Sequence, residues 1–161
     1  MRNRCGSKRI TPAGDAVNRK PARYRERFRN SMTQSQRILI LGGDAHLSFT
    51  RPALEQRGFA VAIAKDCDTA FETLLGSSFD LVVTDSSRAE NRIEFIKRIR
   101  ATPHLTAILI LIVAEWGTGE PTLALRAGAD AYEPNKAGPF DPSCLVSSIE
   151  RLLSRQVAAA N

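Results

Sequence analysis

Asp85 is the side chain of this sequence best placed to do chemistry. It comes just after the apolar run Leu81-Val82-Val83, which is typical of a buried strand. A carboxylate at the carboxyl end of such a strand lies where open α/β sheets place their ligands. The first apolar run, residues 38–41, is followed by Gly42-Gly43, which carry no charge. The pattern therefore predicts a carboxylate site with few neighbouring negative charges.

Other patterns that could support an enzyme are weaker. His46 and His104 have no recognisable nucleophile partner in the sequence. Gly42-Gly43 follows a strand, as a phosphate-binding turn does, but the segment lacks the glycine spacing of a dinucleotide-binding loop. A conventional enzyme is therefore the least favoured class.

The elements that should position Asp85 are short apolar runs that alternate with helical patterns from Arg37 onward. Strands are predicted over residues 38–41, 59–64, 81–84, 107–113 and 129–132. Helices are predicted around residues 47–56, over 69–76, around 93–99, over 121–127 and from 142 onward. Local signals at helix starts are a capping box from Thr69 to Glu72, Pro52 as either a first helical residue or a kink, and Asp141 as an N-cap.

Alternating strands and helices of this kind predict an α/β fold. Continuous apolar strands indicate a parallel sheet that is covered by helices on both faces. Right-handed crossovers favour a doubly wound, flavodoxin-like sheet with the strand order 2-1-3-4-5. The predicted domain covers residues 37–156, with residues 157–161 as a C-terminal tail and no second domain expected after it.

Residues 1–36 differ in composition from the rest. They hold ten Lys or Arg and two acidic residues, a net charge of +8, whereas the remaining residues hold 13 basic and 15 acidic, a net charge of −2. Few large apolar residues occur there, which predicts disorder. Three interpretations stay open: an arm that binds nucleic acid or anionic lipid through residues 1–31, a solvated tail, or a misassigned start with translation from Met32.

Composition also bounds the location of the protein. At 43% apolar and 25% charged residues, the chain can bury a core. It has no apolar run near the ~20 residues of a membrane span. Cys5, Cys67 and Cys144 are odd in number and share no short spacing, which argues against a disulfide framework or a zinc site. These features predict a cytoplasmic protein.

Several motifs in this framework together resemble the receiver domain of bacterial two-component response regulators, over roughly residues 37–156. Arg37 to Leu41 resembles the family's first strand, and Asp80 to Asp85 resembles its third strand with the phosphoacceptor aspartate. Gly128-Ala129-Asp130-Ala131-Tyr132 is similar to the family's fifth strand, and Pro139-Phe140 to the start of its last helix.

The resemblance implies a phosphorelay in which a histidine kinase or phosphotransfer protein donates a phosphoryl group to Asp85. In the family a magnesium ion neutralises the charge that develops during this transfer. Asp85 and Asp44 are the candidate Mg²⁺ ligands, and Lys136 is the candidate ligand of the phosphoryl group. Tyr132 matches the family's switch aromatic, and Trp116, in the loop after the fourth strand, is a candidate partner contact.

Departures from the family pattern predict weak chemistry. Gly42 and Gly43 align with the acidic pair, and Val113 aligns with a Ser or Thr whose hydroxyl binds the phosphoryl group. Lys136 is separated from Pro139 by two residues where the family has Lys-Pro directly. We expect Mg²⁺ to bind weakly or not at all, and phosphorylation of Asp85 to be weak or absent. Arg88 is a candidate source of positive charge in the loop after Asp85.

Three functions follow as hypotheses. The first is a single-domain response regulator that acts by protein contact, with phosphoryl acceptance and autodephosphorylation at Asp85 as its only chemistry. The second is a phosphorylation-independent docking module that uses the face of helix 4, strand 5 and helix 5, which is also a possible dimer surface. The third is a nucleic-acid-associated protein that uses residues 1–31.

Overall fold

The computed structural model describes residues 35–42, 47, 49–86, 89–114, 121–134 and 141–160. Its strands are β1 (Arg37–Leu41), β2 (Ala60–Ala64), β3 (Leu81–Asp85), β4 (Leu109–Val113) and β5 (Ala131–Glu133). Its helices are α1 (Thr50–Gln56), α2 (Cys67–Gly76), α3 (Ala89–Ala101), α4 (Pro121–Ala127) and α5 (Pro142–Ala160).

The five strands form one parallel sheet in the order β2-β1-β3-β4-β5, as predicted. The register pairs Leu41 with Thr84 and Asp85 with Val113. The carboxyl ends of β1, β3 and β4 therefore meet around Asp85, which is the edge where this topology collects ligands.

Two apolar layers cover the faces of the sheet, because side chains alternate along each strand. Leu39, Leu41 and Val82 pack in one layer with residues of α2 and α3. Ile38 and Val83 pack in the other layer with residues of α1 and α5. Burial on both faces explains why β3 and β4 consist of consecutive buried residues and not of an alternating pattern.

The starts of two helices differ from the prediction. The N-cap of α2 is Asp66, whose Oδ1 accepts a hydrogen bond from the Thr69 backbone N–H at 2.7 Å. Thr69 therefore lies inside the first turn, and the predicted capping box is wrong. α1 begins at Thr50, so Pro52 is its third residue. The first turn has backbone N–H groups without helical partners, which is why proline is accepted there.

Strand boundaries also move, and β5 moves most. It starts at Ala131 and not at Ala129, because Asp130 turns its carboxylate toward the neighbouring strand. Asp130 Oδ2 accepts hydrogen bonds from the Ile110 backbone N–H at 2.9 Å and from Arg100 Nη2 at 2.7 Å. At the other end of the domain, α5 continues to Ala160, so the predicted boundary at residue 156 falls within a helix.

Membrane insertion has no support in the described ranges. None of the helices seen there combines the length and apolarity that crossing a bilayer requires.

Candidate functional site

Asp85 is the last residue of β3, and its side chain is buried. Its partner across the sheet is Val113 at the end of β4. The next backbone N–H, of Ser86, donates to the Val113 carbonyl oxygen at 3.0 Å, so the chain stays tied to β4 beyond Asp85. The carboxylate is therefore held rigidly at the carboxyl edge of the sheet.

Arg92, in the first turn of α3, forms an ion pair with Asp85. Arg92 Nη2 lies 3.2 Å and Nε 3.4 Å from Oδ1 of Asp85. Only 9% of the Arg92 side chain and 8% of the Asp85 side chain are exposed. Buried charges are stable when an opposite charge compensates the hydration they lose, so each side chain requires the other.

Cys67 completes the surroundings of the guanidinium group. Arg92 Nη1 donates to Cys67 Sγ at 3.2 Å, and the half-buried thiol itself donates to the Asn91 carbonyl oxygen at 3.8 Å. Cys67 is the first residue of α2, which Asp66 caps. The guanidinium group thus joins β3, α2 and α3 at one buried point.

Gly42, directly after β1, brings bare backbone against the carboxylate. A Cβ atom built on Gly42 would lie 3.0 Å from Asp85 Oδ2 and 3.3 Å from Leu47 Cδ1. A side chain at this position would therefore touch the carboxylate, and an acidic one would place a second negative charge beside it. Glycine keeps that charge away.

The structure places the predicted site residues unevenly. Asp85, Gly42 and Val113 meet as expected, because they end three adjacent strands. Tyr132 lies on β5, half-buried against the layer that contains α2 and α3. Other residues considered for the site from the sequence lie outside the described ranges, namely Gly43, Asp44, His46, Arg88, Trp116 and Lys136.

Arg92 is the site residue that sequence reasoning missed. We considered Arg88 as a source of positive charge, whereas the described structure supplies that charge from the next helix. A signal exists in the helical spacing, because Arg92 shares a face with Ile96 and Ile99, both fully buried. A charged residue in an apolar helical stripe indicates a buried partner, and Asp85 lies seven residues earlier.

The described residues around Asp85 offer no cluster of carboxylates and so do not fit a magnesium ion. Mg²⁺ prefers several oxygen ligands, usually carboxylates and water. The described residues next to Asp85 include Gly42, which has no side chain, the apolar Val113 at the paired position of β4, and the cationic Arg92. Across the described part of the chain, no group of three or more His, Cys, Asp or Glu could hold a metal ion.

Two known bacterial proteins have sequences similar to this chain. The chain is 35% identical over 121 residues to the transcriptional regulatory protein CpxR of Escherichia coli, covering 74% of this chain and 50% of that protein. It is 31% identical over 123 residues to the protein PetR of Rhodobacter capsulatus, covering 73% of this chain and 48% of that protein. The chain therefore spans about half the length of these curated relatives. No protein-family model matches it.

Solved structures agree with the fold and with this relationship. The chemotaxis response regulator CheY4 of Vibrio cholerae superposes with a TM-score of 0.65 at 20% identity, over 73% of this chain and 98% of that one. A CheY-like receiver domain protein of Methanospirillum hungatei superposes with a TM-score of 0.63 at 26% identity, over 76% of this chain and 96% of that one. From the similarity to CpxR, the sheet order and the place of Asp85 at the end of β3, we conclude that this chain contains a response regulator receiver domain.

Proposed function

We propose that this receiver domain signals through protein–protein contact, and that Asp85 accepts phosphoryl groups weakly or not at all. The observation that carries the proposal is the identity of the residues on either side of Asp85. Gly42 supplies no side chain next to Oδ2, and Val113, across the sheet, supplies only methyl groups.

Phosphoryl transfer to a carboxylate requires a cation beside the incoming phosphoryl group and hydrogen-bond donors to its oxygens. Val113 cannot donate a hydrogen bond, and Arg92 already directs two nitrogens at Asp85 Oδ1. The lone pairs of Oδ1 are therefore engaged in an ion pair, which weakens this oxygen as a nucleophile. We expect no chemistry beyond slow phosphoryl acceptance and autodephosphorylation at Asp85.

The surface of α4, β5 and α5 is the proposed docking face. α4 exposes Leu123 and Leu125, at 50% and 47% of their surface. β5 adds the half-buried Tyr132 and Glu133. Exposed leucines lose unfavourable hydration when a partner covers them, so this face offers more binding energy than a fully charged one. A histidine kinase or a phosphotransfer protein is the expected partner, in the cytoplasm.

Matched substitutions test the docking face. Leu123→Asp on α4 and Leu75→Asp on α2 replace leucines of nearly equal exposure, 50% and 49%, on different helices. Asp85→Asn tests the phosphoacceptor. We expect the same partners to bind wild-type protein, Asp85→Asn and Leu75→Asp in affinity capture from cell extract, and to be lost with Leu123→Asp.

Two results would contradict the proposal. Capture that requires a phosphoryl donor and disappears in Asp85→Asn would make phosphorylation the signal. Equal capture by Leu123→Asp and Leu75→Asp would remove α4 from the interface. Dimerisation through this face and nucleic-acid binding by residues 1–31 stay predictions, which sedimentation and salt-dependent DNA binding can measure.

A further inference from the structure

The contacts of Arg92 assign it a specific task. All three guanidinium nitrogens have a partner: Nε and Nη2 contact Asp85 Oδ1, and Nη1 contacts Cys67 Sγ. The side chain is buried, so its charge is not shared with bulk water. A cation held in this way acts on one carboxylate, which is Asp85.

We propose that Arg92 takes the place of a divalent metal ion as the charge partner of Asp85, and so makes this receiver domain insensitive to Mg²⁺. The inference rests on the proposed function and extends it to the regulation of the same site. Arg92 is then the residue that decides whether a metal ion can bind at Asp85.

Charge balance carries the argument. Asp85 and Arg92 together are neutral, and both are buried. Adding Mg²⁺ beside Asp85 would leave two uncompensated positive charges near the guanidinium group, in a region of low dielectric constant where repulsion is strong. Gly42 adds to this exclusion, because a Cβ atom there would lie 3.0 Å from Oδ2, yet glycine has no side chain that could balance a metal ion.

Cys67 keeps Arg92 in this position. The thiol accepts from Nη1, on the side of the guanidinium group away from Asp85, while Nε and Nη2 face the carboxylate. Because Cys67 begins α2 and Arg92 lies on α3, the packing of these two helices fixes the cation. The cation is therefore part of the fold and cannot be lost by dilution, as a metal ion can.

Heat unfolding with and without MgCl₂ tests the proposal. We expect the unfolding midpoint of the wild-type protein to be unchanged by millimolar Mg²⁺. In Arg92→Met Asp85 loses its buried cationic partner, so Mg²⁺ should bind and raise the midpoint by about 3 °C or more. Mg²⁺ should not change the unfolding midpoint of the double variant Asp85→Asn/Arg92→Met. The matched control is Arg98→Met, which removes an exposed guanidinium group from the same helix, and Mg²⁺ should not change its unfolding midpoint either.

Several outcomes would overturn the inference. They are a wild-type midpoint that rises with Mg²⁺ as much as that of Arg92→Met, an Arg92→Met midpoint that does not respond, or a double variant that still responds. If Arg92→Met does not fold, Mn²⁺ added to the wild-type protein decides the question by NMR. Broadening confined to the amide signals of Gly42 and Ser86 would mean that a divalent ion binds at Asp85, and its absence supports Arg92 as the resident cation. Failure of the proposed function is a separate result, because it appears in partner capture and not in the response to metal ions.

Discussion

The ion pair between Asp85 and Arg92 should be the most strongly coupled pair of charges on the sheet edge described here. The test is a double-mutant cycle with Asp85→Asn, Arg92→Met and both together. Each substitution keeps the approximate size of the side chain and removes one charge, so the cycle isolates the interaction between the two groups.

The size of the effect follows from burial. With 8% and 9% of the two side chains exposed, removing one partner takes away the opposite charge that stabilises the other in the protein interior. Such single losses reduce the free energy of unfolding by about 3–5 kcal/mol. The double variant removes both charges, so we expect it to be more stable than the sum of the single effects predicts, by about 2 kcal/mol or more.

A surface pair on the same helix provides the control cycle. Arg98 Nη1 lies 3.1 Å from Asp68 Oδ1, but the two side chains are 54% and 88% exposed. Solvent screening limits such a pair to about 1 kcal/mol or less. The distances between nitrogen and oxygen atoms are similar in the two ion pairs, so the difference between the two coupling energies measures the effect of burial.

Urea unfolding followed by circular dichroism gives all seven free energies, since the described residues form one sheet with its helices. A coupling between Asp85 and Arg92 no larger than the coupling between Asp68 and Arg98 would refute the reasoning. It would mean that water reaches the buried pair, or that the contact is not maintained in solution.

Three further predictions concern other parts of the domain. Arg100→Met should lower the free energy of unfolding by about 3 kcal/mol, because Arg100 donates to Asp130 and to the carbonyl oxygens of Thr106, Ile108 and Gly128. As its control, Arg57→Met breaks the exposed ion pair with Glu150. It should change the free energy of unfolding in urea by less than about 1 kcal/mol. Gly42→Ala should lower the unfolding midpoint in urea, by about 1–3 kcal/mol in free energy, because the added Cβ lies 3.0 Å from Asp85 Oδ2. An unchanged midpoint would show that the backbone after β1 shifts freely. The Thr69 N–H and hydroxyl lower the pKa of Asp66 below 3.8 in the folded state, so its charge stabilises α2 above that pH, and this stabilisation is lost as the pH falls through the lowered pKa. The stability difference between wild-type protein and Asp66→Asn in urea should therefore be greatest near neutral pH and shrink in acid, and a difference that grows in acid would contradict this.

The fold could be predicted from the sequence because its signal is repeated along the chain. Apolar runs as continuous as Ile38 to Leu41 and Leu109 to Val113 are compatible with few structures besides strands covered on both faces. Five such runs with intervening helices leave few topologies. The place of Asp85 followed from the same pattern, because strand ends of a parallel sheet share an edge.

Local details were harder because several residues competed for one role. Asp66 and Thr69 can both cap a helix, and the choice depends on where β2 ends, at Ala64. Asp130 could extend β5, but its carboxylate instead binds Arg100 and the Ile110 N–H. These outcomes depend on contacts between residues far apart in sequence, which a local pattern does not contain.

The partner of Asp85 was missed for the same reason. Arginine is usually exposed, so position 92 reads as a surface residue unless its helical face is compared with Ile96 and Ile99. The packing of α3 against both α2 and the end of β3 brings Cys67 and Asp85 to the two sides of its guanidinium group. The absence of an acidic residue at Gly42 was visible directly in the sequence, whereas the cation beside Asp85 could be inferred only from the helical face that Arg92 shares with buried residues.

The intact mass of the full chain after incubation with acetyl phosphate and Mg²⁺ is the most direct test of the central claim. Asp85→Asn serves as the negative control, and a receiver domain that is known to accept phosphoryl groups serves as the positive control. Our account predicts that at most a small fraction of wild-type protein gains the mass of a phosphoryl group while most of the positive control does. A stoichiometric phosphoryl adduct on wild-type protein that is absent from Asp85→Asn would contradict the account, because it would show that the paired and buried carboxylate remains an efficient phosphoacceptor.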